Sequence, residues 1–147
     1  MPGNATVLIL ESDKNDLFFL QRAFRKVCPS CVAVGVITVE DTIKYLSGEP
    51  PYSDRAQHPL PAMLLMDLNI PGLTGFDLLK WLQTRPDLDS VAVVVLTGSA
   101  YGSDLQKALD LGADEHHIKR HDYDHLHELI RDISARWLPV TDPHNVS

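Results

Sequence analysis

The 147-residue sequence has few cysteines, no excess of basic residues and no long apolar run. No stretch approaches the roughly 18 consecutive apolar residues of a membrane span, so we expect no membrane-embedded segment. The formal net charge of −7 argues against nonspecific nucleic-acid binding, which needs a basic face. The start MPGNAT has no basic segment, and the apolar run TVLIL is too short for a secretion signal. We therefore expect a cytoplasmic protein.

The two cysteines, Cys28 and Cys31, are spaced as CPSC. Thioredoxin-like redox proteins place such a pair after a strand and at the start of a helix. Here the pair follows an apparent helix and precedes an apolar run, so this context is reversed. A zinc site would need a second ligand pair, and the sequence has no second CxxC. We expect two small, thiol-bearing loop residues.

What the sequence does contain is an alternation of short apolar runs and amphipathic segments, repeated five times. The runs predict strands at Thr6–Leu10, Val32–Thr38, Ala62–Met66, Val91–Leu96 and Glu115–Ile118. Apolar residues at helical spacing follow each run and predict helices. The predicted inner faces carry Leu17, Leu20, Ala23, Phe24 and Val27; Ile43 and Leu46; Phe76, Leu79 and Leu82; Leu105, Ala108, Leu109 and Leu111; and Leu126, Leu129, Ile130 and Ile133.

Strands that are apolar almost throughout, each followed by a helix, indicate a parallel sheet covered on both faces. Five such units favour a flavodoxin-like doubly wound α/β fold with strand order 2-1-3-4-5. We expect one domain with its core at residues 6–138. A loop with four prolines at 48–61 is predicted to run over the surface, and the tail 139–147 is predicted to be flexible.

Polar residues end the predicted strands: Glu11, Ser12 and Asp13 the first, Asp67 the third, Thr97 and Gly98 the fourth, and Lys119 the fifth. Because the carboxyl ends of parallel strands meet at one edge, these groups are expected to share a crevice. Acids, a hydroxyl and an amine there suit phosphoryl transfer to a carboxylate, with Asp67 as the nucleophile. Mg²⁺ would bind carboxylate and carbonyl oxygens. Taken singly, each residue has a plainer role; Asp13, for example, is a good helix cap.

The loop DLNIPGLTG, which begins at Asp67, resembles the phosphoacceptor loop of bacterial response-regulator receiver domains. The resemblance extends over nearly the whole chain, and its matching residues are Glu11, Asp67, Pro71, Gly75, Thr97 and Lys119. It implies Asp67, Lys119 and Thr97 as the catalytic groups. It implies a phosphoryl site at Asn69, Thr97, Gly98 and Lys119, a Mg²⁺ site at Glu11, Asp13, Asp67 and Asn69, and a conformational switch at Thr97 and His116.

The long loop before the third strand and the absence of an output segment look like small regulators that work with phytochrome-type histidine kinases. The resemblance therefore implies a single-domain response regulator in a two-component system, a signalling protein rather than an enzyme. The implied partner is a sensor histidine kinase of the bacteriophytochrome kind. A homodimer through the face of helix 4, strand 5 and helix 5 is also implied.

Three positions depart from the family pattern. Ser12 stands where the second acid normally ligates Mg²⁺, and Asp13 comes one residue later. Arg120 replaces the proline that commonly follows the lysine, so we expect a trans bond and a shifted Lys119, since a cis bond to a non-proline residue costs about 3 kcal/mol. His116 stands where receivers usually carry a Tyr or Phe, which predicts an altered or pH-sensitive switch.

Five histidines surround the fifth strand and helix: His116, His117, His121, His125 and His127. The spacing of His121 and His125 is compatible with a transition metal. We favour instead a role in lining an association surface, which would make pairing depend on pH between roughly 5 and 8.

Other functions remain open on the sequence. The same departures are compatible with a pseudo-receiver that binds partners without useful phosphorylation. A phosphohydrolase with an aspartyl nucleophile would want a second acid at the position of Asn69. A flavodoxin-type electron carrier would want a phosphate-binding loop after the first strand, where ESDKND is acidic.

Overall fold

The computed structural model describes residues 5–98, 102–119 and 122–138. Within these ranges, five parallel strands form one sheet in the order β2-β1-β3-β4-β5. The strands are β1 (Thr6–Leu10), β2 (Val32–Val36), β3 (Met63–Met66), β4 (Ala92–Thr97) and β5 (Glu115–Ile118). The helices are α1 (Lys14–Val27), α2 (Val39–Ser47), α3 (Gly75–Gln83), α4 (Gly102–Asp110) and α5 (Tyr123–Trp137). The predicted doubly wound α/β fold and its strand order are confirmed.

Helices cover both faces of the sheet, which explains why β1, β3 and β4 are apolar at almost every position. Successive side chains of a strand point to opposite faces. Leu8 and Leu64 therefore pack towards α2, α3 and α4. Ile9 and Leu65 pack towards α1 and α5. The three central strands are thus held rigidly, and their carboxyl ends are fixed relative to one another.

The second strand and helix differ from the prediction. Thr38 does not extend β2, because its hydroxyl caps α2 by accepting the N–H of Asp41 at 3.0 Å. The inner face of α2 includes Thr42 and Tyr45 as well as Leu46, whereas the predicted Ile43 is only partly buried. These polar residues are tolerated in the core because the Thr42 hydroxyl donates to the Thr38 carbonyl and the Tyr45 hydroxyl to the Pro59 carbonyl.

The loop at 48–61 folds back against α2, so the prediction of a plain surface excursion is incomplete. The Arg55 guanidinium donates to the carbonyl oxygens of Tyr45 (2.8 Å), Leu46 (2.8 Å) and His58 (3.0 Å). Two of these carbonyls belong to the last turn of α2, where helical N–H donors run out, although the Tyr45 carbonyl also accepts the Gly48 N–H at 3.2 Å. Arg55 therefore caps the helix and anchors the loop at the same time.

Cys28 and Cys31 form a disulfide, so the prediction of two free thiols is wrong for this structure. Cys28 ends α1, and the Cys31 N–H donates to the Cys28 carbonyl at 2.9 Å. This tight turn brings the two Cα atoms to 5.4 Å, within the usual range for a disulfide. The pair joins the end of α1 to the start of β2.

Across the described ranges, the structure contains no helix of the length and apolar character needed to cross a membrane. The predicted tail at 139–147 lies outside the described residues, as do Arg120 and His121.

Candidate functional site

Asp67 lies at the carboxyl edge of the sheet, directly after β3. Its N–H donates to the Leu10 carbonyl at 3.1 Å, which continues the pairing of β3 with β1 beyond the strand end. The carboxylate has two partners: one oxygen accepts the Asn69 N–H at 3.0 Å, and the other accepts the Lys119 ammonium at 3.2 Å. The residue is only 7% exposed. A carboxylate is therefore held in a fixed orientation beneath the rim of the sheet.

Glu11 follows β1 and lies beside Asp67. Its N–H donates to the Val36 carbonyl at 3.1 Å, and its carboxylate accepts the Asp13 N–H at 3.0 Å and contacts the Lys119 ammonium. Burial raises the pKa of Glu11, although the hydrogen bond from Lys119 opposes that effect. A longer acid than aspartate thus still reaches the same lysine as Asp67.

Lys119 connects the acids of the site. Its backbone N–H donates to the Thr97 carbonyl at 2.7 Å, so the chain beyond β5 stays paired with β4. The ammonium contacts Glu11, Asp67 and a third acid, Asp16, the last at 3.1 Å. Burial alone would lower the pKa of Lys119, but the hydrogen bond to Glu11 and the nearby Asp67 and Asp16 carboxylates raise it. The lysine is therefore cationic at neutral pH, and it neutralises one of three negative charges.

The structure gives Asp13 the capping role that was its plainer alternative. Its carboxylate accepts the N–H groups of Asn15 (2.9 Å) and Asp16 (3.1 Å) at the start of α1. Of the two acids at the start of α1, Asp16 is the one that contacts Lys119, and sequence reasoning missed it. An available signal was its position three residues after a predicted cap, in the first turn of the helix that leaves the carboxyl edge.

Thr97 and Asn69 complete the polar surroundings of Asp67. Thr97 is fully buried at the end of β4, and the Asn69 amide donates to its hydroxyl at 3.5 Å. Gly98 follows and is exposed. A Cβ added at Gly98 would meet no described atom within 4 Å, so the described residues alone do not demand glycine there. The place of Gly98 in a phosphoryl site stays a prediction.

The loop after Asp67 is built rigidly. Leu68 and Ile70 are buried in the core, and Gly72 adopts φ +81° in the turn that follows. The Gly75 N–H donates to the Leu68 carbonyl at 3.1 Å. Thr74 caps α3 in a reciprocal arrangement with Asp77. The loop therefore returns the chain against its own start and holds the backbone around Asp67.

The register of β4 and β5 relates His116 to Thr97. Val95 is opposite His116, and Thr97 is opposite Ile118. Since side chains alternate along a strand, Thr97 and His116 belong to the same face of the sheet, the one covered by α4. His116 is half-buried there. Its role in a switch stays a prediction.

The described histidines of β5 and α5 lie on more than one side of the edge strand β5. His117 lies on the opposite face of β5 from His116, because its ring contacts Glu115, which packs against α5. His127 lines a cavity between α1 and α5 with Phe19 and Arg22. The predicted association surface through α4, β5 and α5 includes both sides of the edge strand β5, so the role of the histidines in lining it stays a prediction. The metal pairing of His121 with His125 falls partly outside the described residues.

Glu115 begins β5 and is anchored to the end of α5. It accepts two hydrogen bonds from the Arg136 guanidinium, at 2.8 and 2.7 Å, and one from the Trp137 indole at 2.7 Å. The hydrogen bonds from Arg136 are the main cause that lowers the pKa of Glu115 to about 2, with His117 and Trp137 adding to it against the effect of burial. This cluster joins the end of α5 to the edge strand of the sheet.

The variant Glu115→Gln is expected to lower the unfolding free energy at pH 7 by about 1–2 kcal/mol, because charge-assisted hydrogen bonds are lost. A carboxyl group whose pKa is lowered in the folded state stabilises the fold at pH values above its ordinary pKa. That stabilisation is lost as the pH falls through the folded-state pKa. The wild-type protein should therefore lose this contribution between pH 5 and about 2, and the variant should not. Urea denaturation over that range measures the difference. Glu128→Gln, an exposed acid on α5, is the control; equal pH profiles for both variants would contradict the assignment.

Among the described residues, no three His, Cys, Asp or Glu side chains converge in a geometry that would hold a metal ion directly. The Lys119 ammonium lies between the three carboxylates instead. The donor chemistry nevertheless suits a hard cation. Three carboxylates and one ammonium carry a formal charge of −2, and carboxylate oxygen is the ligand type that Mg²⁺ takes in proteins.

Comparisons with known proteins agree with this arrangement. The family model described as the response regulator receiver domain matches residues 7–131. Response regulator Rcp1 from Synechocystis sp. is 25% identical over 132 residues, which cover 90% of this chain and 88% of Rcp1.

Solved structures are similar over almost their full length. The phosphorylated cyanobacterial phytochrome response regulator RcpA has a TM-score of 0.83 at 25% identity, over 92% of this chain and 94% of RcpA. Response regulator RPA3017, in red light signalling of R. palustris, has a TM-score of 0.85 at 26% identity, over 94% and 96% of the two chains. The family model, the shared fold and the acids gathered around Lys119 lead to one conclusion: this chain belongs to the response-regulator receiver-domain family.

Proposed function

We propose that this chain accepts a phosphoryl group on Asp67 from the phosphohistidine of a sensor histidine kinase. The observation that carries the proposal is the Lys119 ammonium in contact with two buried carboxylates, Asp67 and Glu11, at the carboxyl edge of the sheet. In the transfer, an Asp67 oxygen forms a bond to phosphorus as the bond from phosphorus to the histidine nitrogen breaks. A carboxylate oxygen is itself the nucleophile here, so the step needs no separate general base.

Charge stabilisation accounts for the other residues. Phosphoryl transfer depends on positioning and on neutralising the equatorial oxygens. Lys119 would redirect one N–H from Asp67 to a phosphoryl oxygen, and the Thr97 hydroxyl and Asn69 amide would donate to others. Gly98 would leave its backbone N–H accessible at the same edge. The contact of Asn69 with Thr97 supports this, because it places the two donors next to each other at the carboxyl edge.

A divalent cation, Mg²⁺ in the cell, is part of the proposal. Glu11 and Asp67 would hold it with the backbone carbonyl of Asn69, and it would neutralise charge on the phosphoryl oxygens. The net negative charge around Lys119 supports this assignment. Rcp1, the relative at 25% identity, has also been crystallised in a Mn²⁺-bound form.

The proposed donor is a phytochrome-type histidine kinase in the cytoplasm. Support comes from two of the similar proteins, which are described as a phytochrome response regulator and a regulator of red light signalling. A homodimer through α4, β5 and α5 is the proposed assembly. The edge strand β5 supports it, since Ile118 is 38% exposed there.

The test is intact-mass spectrometry after incubation with acetyl phosphate, with and without Mg²⁺. We expect the wild-type protein to gain one phosphoryl group only with Mg²⁺, and Asp67→Asn to gain none. Asp89→Asn, an exposed aspartate just before β4 at the opposite edge of the sheet, is the matched control and should be labelled like the wild type. Equal labelling of Asp67→Asn would refute the proposal.

A pseudo-receiver is the second candidate, favoured by Ser12 in place of the second acid. It predicts a folded protein that shows no adduct with Mg²⁺ present. Because aspartyl phosphates hydrolyse, beryllofluoride binding should be measured in parallel. No adduct and no beryllofluoride binding would establish the pseudo-receiver.

A further inference from the structure

Asp16 is an acid of this site that lies outside the residues matched to the family pattern in the sequence. It is the third residue of α1, and its carboxylate lies 3.1 Å from the Lys119 ammonium, 103 residues away in the chain. Its side chain is 27% exposed, so it is mostly withdrawn from solvent. A contact between the first helix and the end of the last strand is thus made through two charged side chains.

The capping of α1 decides which acid enters the site. Asp13 is in extended conformation and turns its carboxylate back onto the first N–H groups of the helix. Asp16 lies one turn later, and side chains on a helix lean towards its N-terminus. Its carboxylate therefore projects past the start of α1 to the edge where Lys119 ends β5. Of the two acids that follow Ser12, the structure turns the second one inward.

The contact with Asp16 uses one of the hydrogen-bond donors of the Lys119 ammonium. An ammonium has three N–H donors, and Glu11, Asp16 and Asp67 accept all three. When one donor turns to a phosphoryl group on Asp67, the other two stay with Glu11 and Asp16. Without Asp16, one donor would lack its acid and the lysine would be held on one side only.

We infer that Asp16 replaces the acid missing at Ser12: it positions Lys119 and supplies the third carboxylate charge that attracts the divalent cation. This inference rests on the proposed function of the same site. Asp16 is a positioning residue, acting on the phosphoryl group through Lys119. Outer partners of a metal site typically change metal affinity by about 10–100-fold when they are removed.

The test measures Mg²⁺ binding alone by isothermal titration calorimetry, before any phosphodonor is added. Asp16→Asn should weaken Mg²⁺ binding by about tenfold. Asp89→Asn removes the same charge from an exposed aspartate before β4, at the opposite edge of the sheet, and should change the affinity by less than about twofold because charges at that distance are screened. Adding Ser12→Asp to Asp16→Asn should restore the wild-type affinity.

Two results would overturn the inference. One is wild-type Mg²⁺ affinity in Asp16→Asn; the other is no measurable Mg²⁺ binding by the wild-type protein. Phosphorylation from acetyl phosphate, followed in the same variants, keeps the two proposals separate. Mg²⁺ binding that depends on Asp16, with neither an adduct nor beryllofluoride binding, would refute the proposed function and leave the inference standing. A normal adduct together with normal Mg²⁺ affinity in Asp16→Asn would overturn the inference and leave the proposed function standing.

Discussion

Gly75→Ala is expected to lower the unfolding free energy by about 2–3 kcal/mol, the upper part of the range for overpacking a core. A Cβ at this position would lie 2.8 Å from the Asp67 carbonyl oxygen and 2.8 Å from the Leu68 Cα. Both are backbone atoms at the start of the acceptor loop, so neither moves away as a flexible side chain would. The methyl group would therefore push the loop and α3 apart.

The sign of this effect distinguishes packing from helix propensity. Gly75 is the first residue of α3 and is not among the glycines with positive φ, so alanine meets no backbone strain there. Propensity alone would favour alanine by up to about 1 kcal/mol. Urea denaturation with an unchanged m-value measures the net result. A variant as stable as the wild type would contradict the close packing.

Gly98→Ala is the matched control for stability. Its added Cβ would meet no described atom within 4 Å, so the unfolding free energy should change by less than about 0.5 kcal/mol. The rate of phosphorylation is a second comparison between the two variants. Gly75→Ala should slow phosphorylation by displacing the Asp67 backbone, whereas Gly98→Ala should slow it only by crowding the phosphoryl group.

Periodicity predicted the sheet because apolar runs and helical stripes are distinct patterns, and parallel strands covered on both faces leave few alternative orders. The errors arose where one residue type serves two structures. Thr38 suits a strand as well as a helix cap, and the cap prevailed because α2 needs an acceptor for its first N–H groups. Thr42 and Tyr45 were not among the predicted inner-face residues, yet hydrogen bonds to backbone carbonyls allow both to be buried.

The candidate site was predictable to the extent that it depends on strand ends. Glu11, Asp67 and Lys119 meet because parallel strands bring their carboxyl ends together, which topology alone dictates. Asp16 was not predictable in the same way. Choosing between Asp13 and Asp16 requires knowing where α1 begins and which acid caps it, and helix boundaries are the least certain part of a sequence-based prediction. The roles of these residues in phosphorylation stay predictions.

Lys119→Met is expected to lower the unfolding free energy by about 2–4 kcal/mol in the absence of divalent cations, because breaking a buried ion pair leaves uncompensated charge. The lysine side chain is 13% exposed, and its removal leaves Glu11, Asp16 and Asp67 facing one another without a cation. Methionine keeps a similar length and packing, so the loss reports on charge. Lys44→Met, an exposed lysine of α2, should change stability by less than about 0.5 kcal/mol.

Mg²⁺ should recover much of the stability lost in Lys119→Met, because a cation that binds only the folded state stabilises it in proportion to the logarithm of its concentration. Thermal unfolding at increasing Mg²⁺ concentration measures this, and the slope should be steeper for the variant than for the wild type. Phosphorylation should stay impaired even at saturating Mg²⁺, since the phosphoryl oxygen lacks its ammonium donor. A Lys119→Met protein that is as stable as the wild type without Mg²⁺ would mean that the three carboxylates are solvated rather than held together by the lysine.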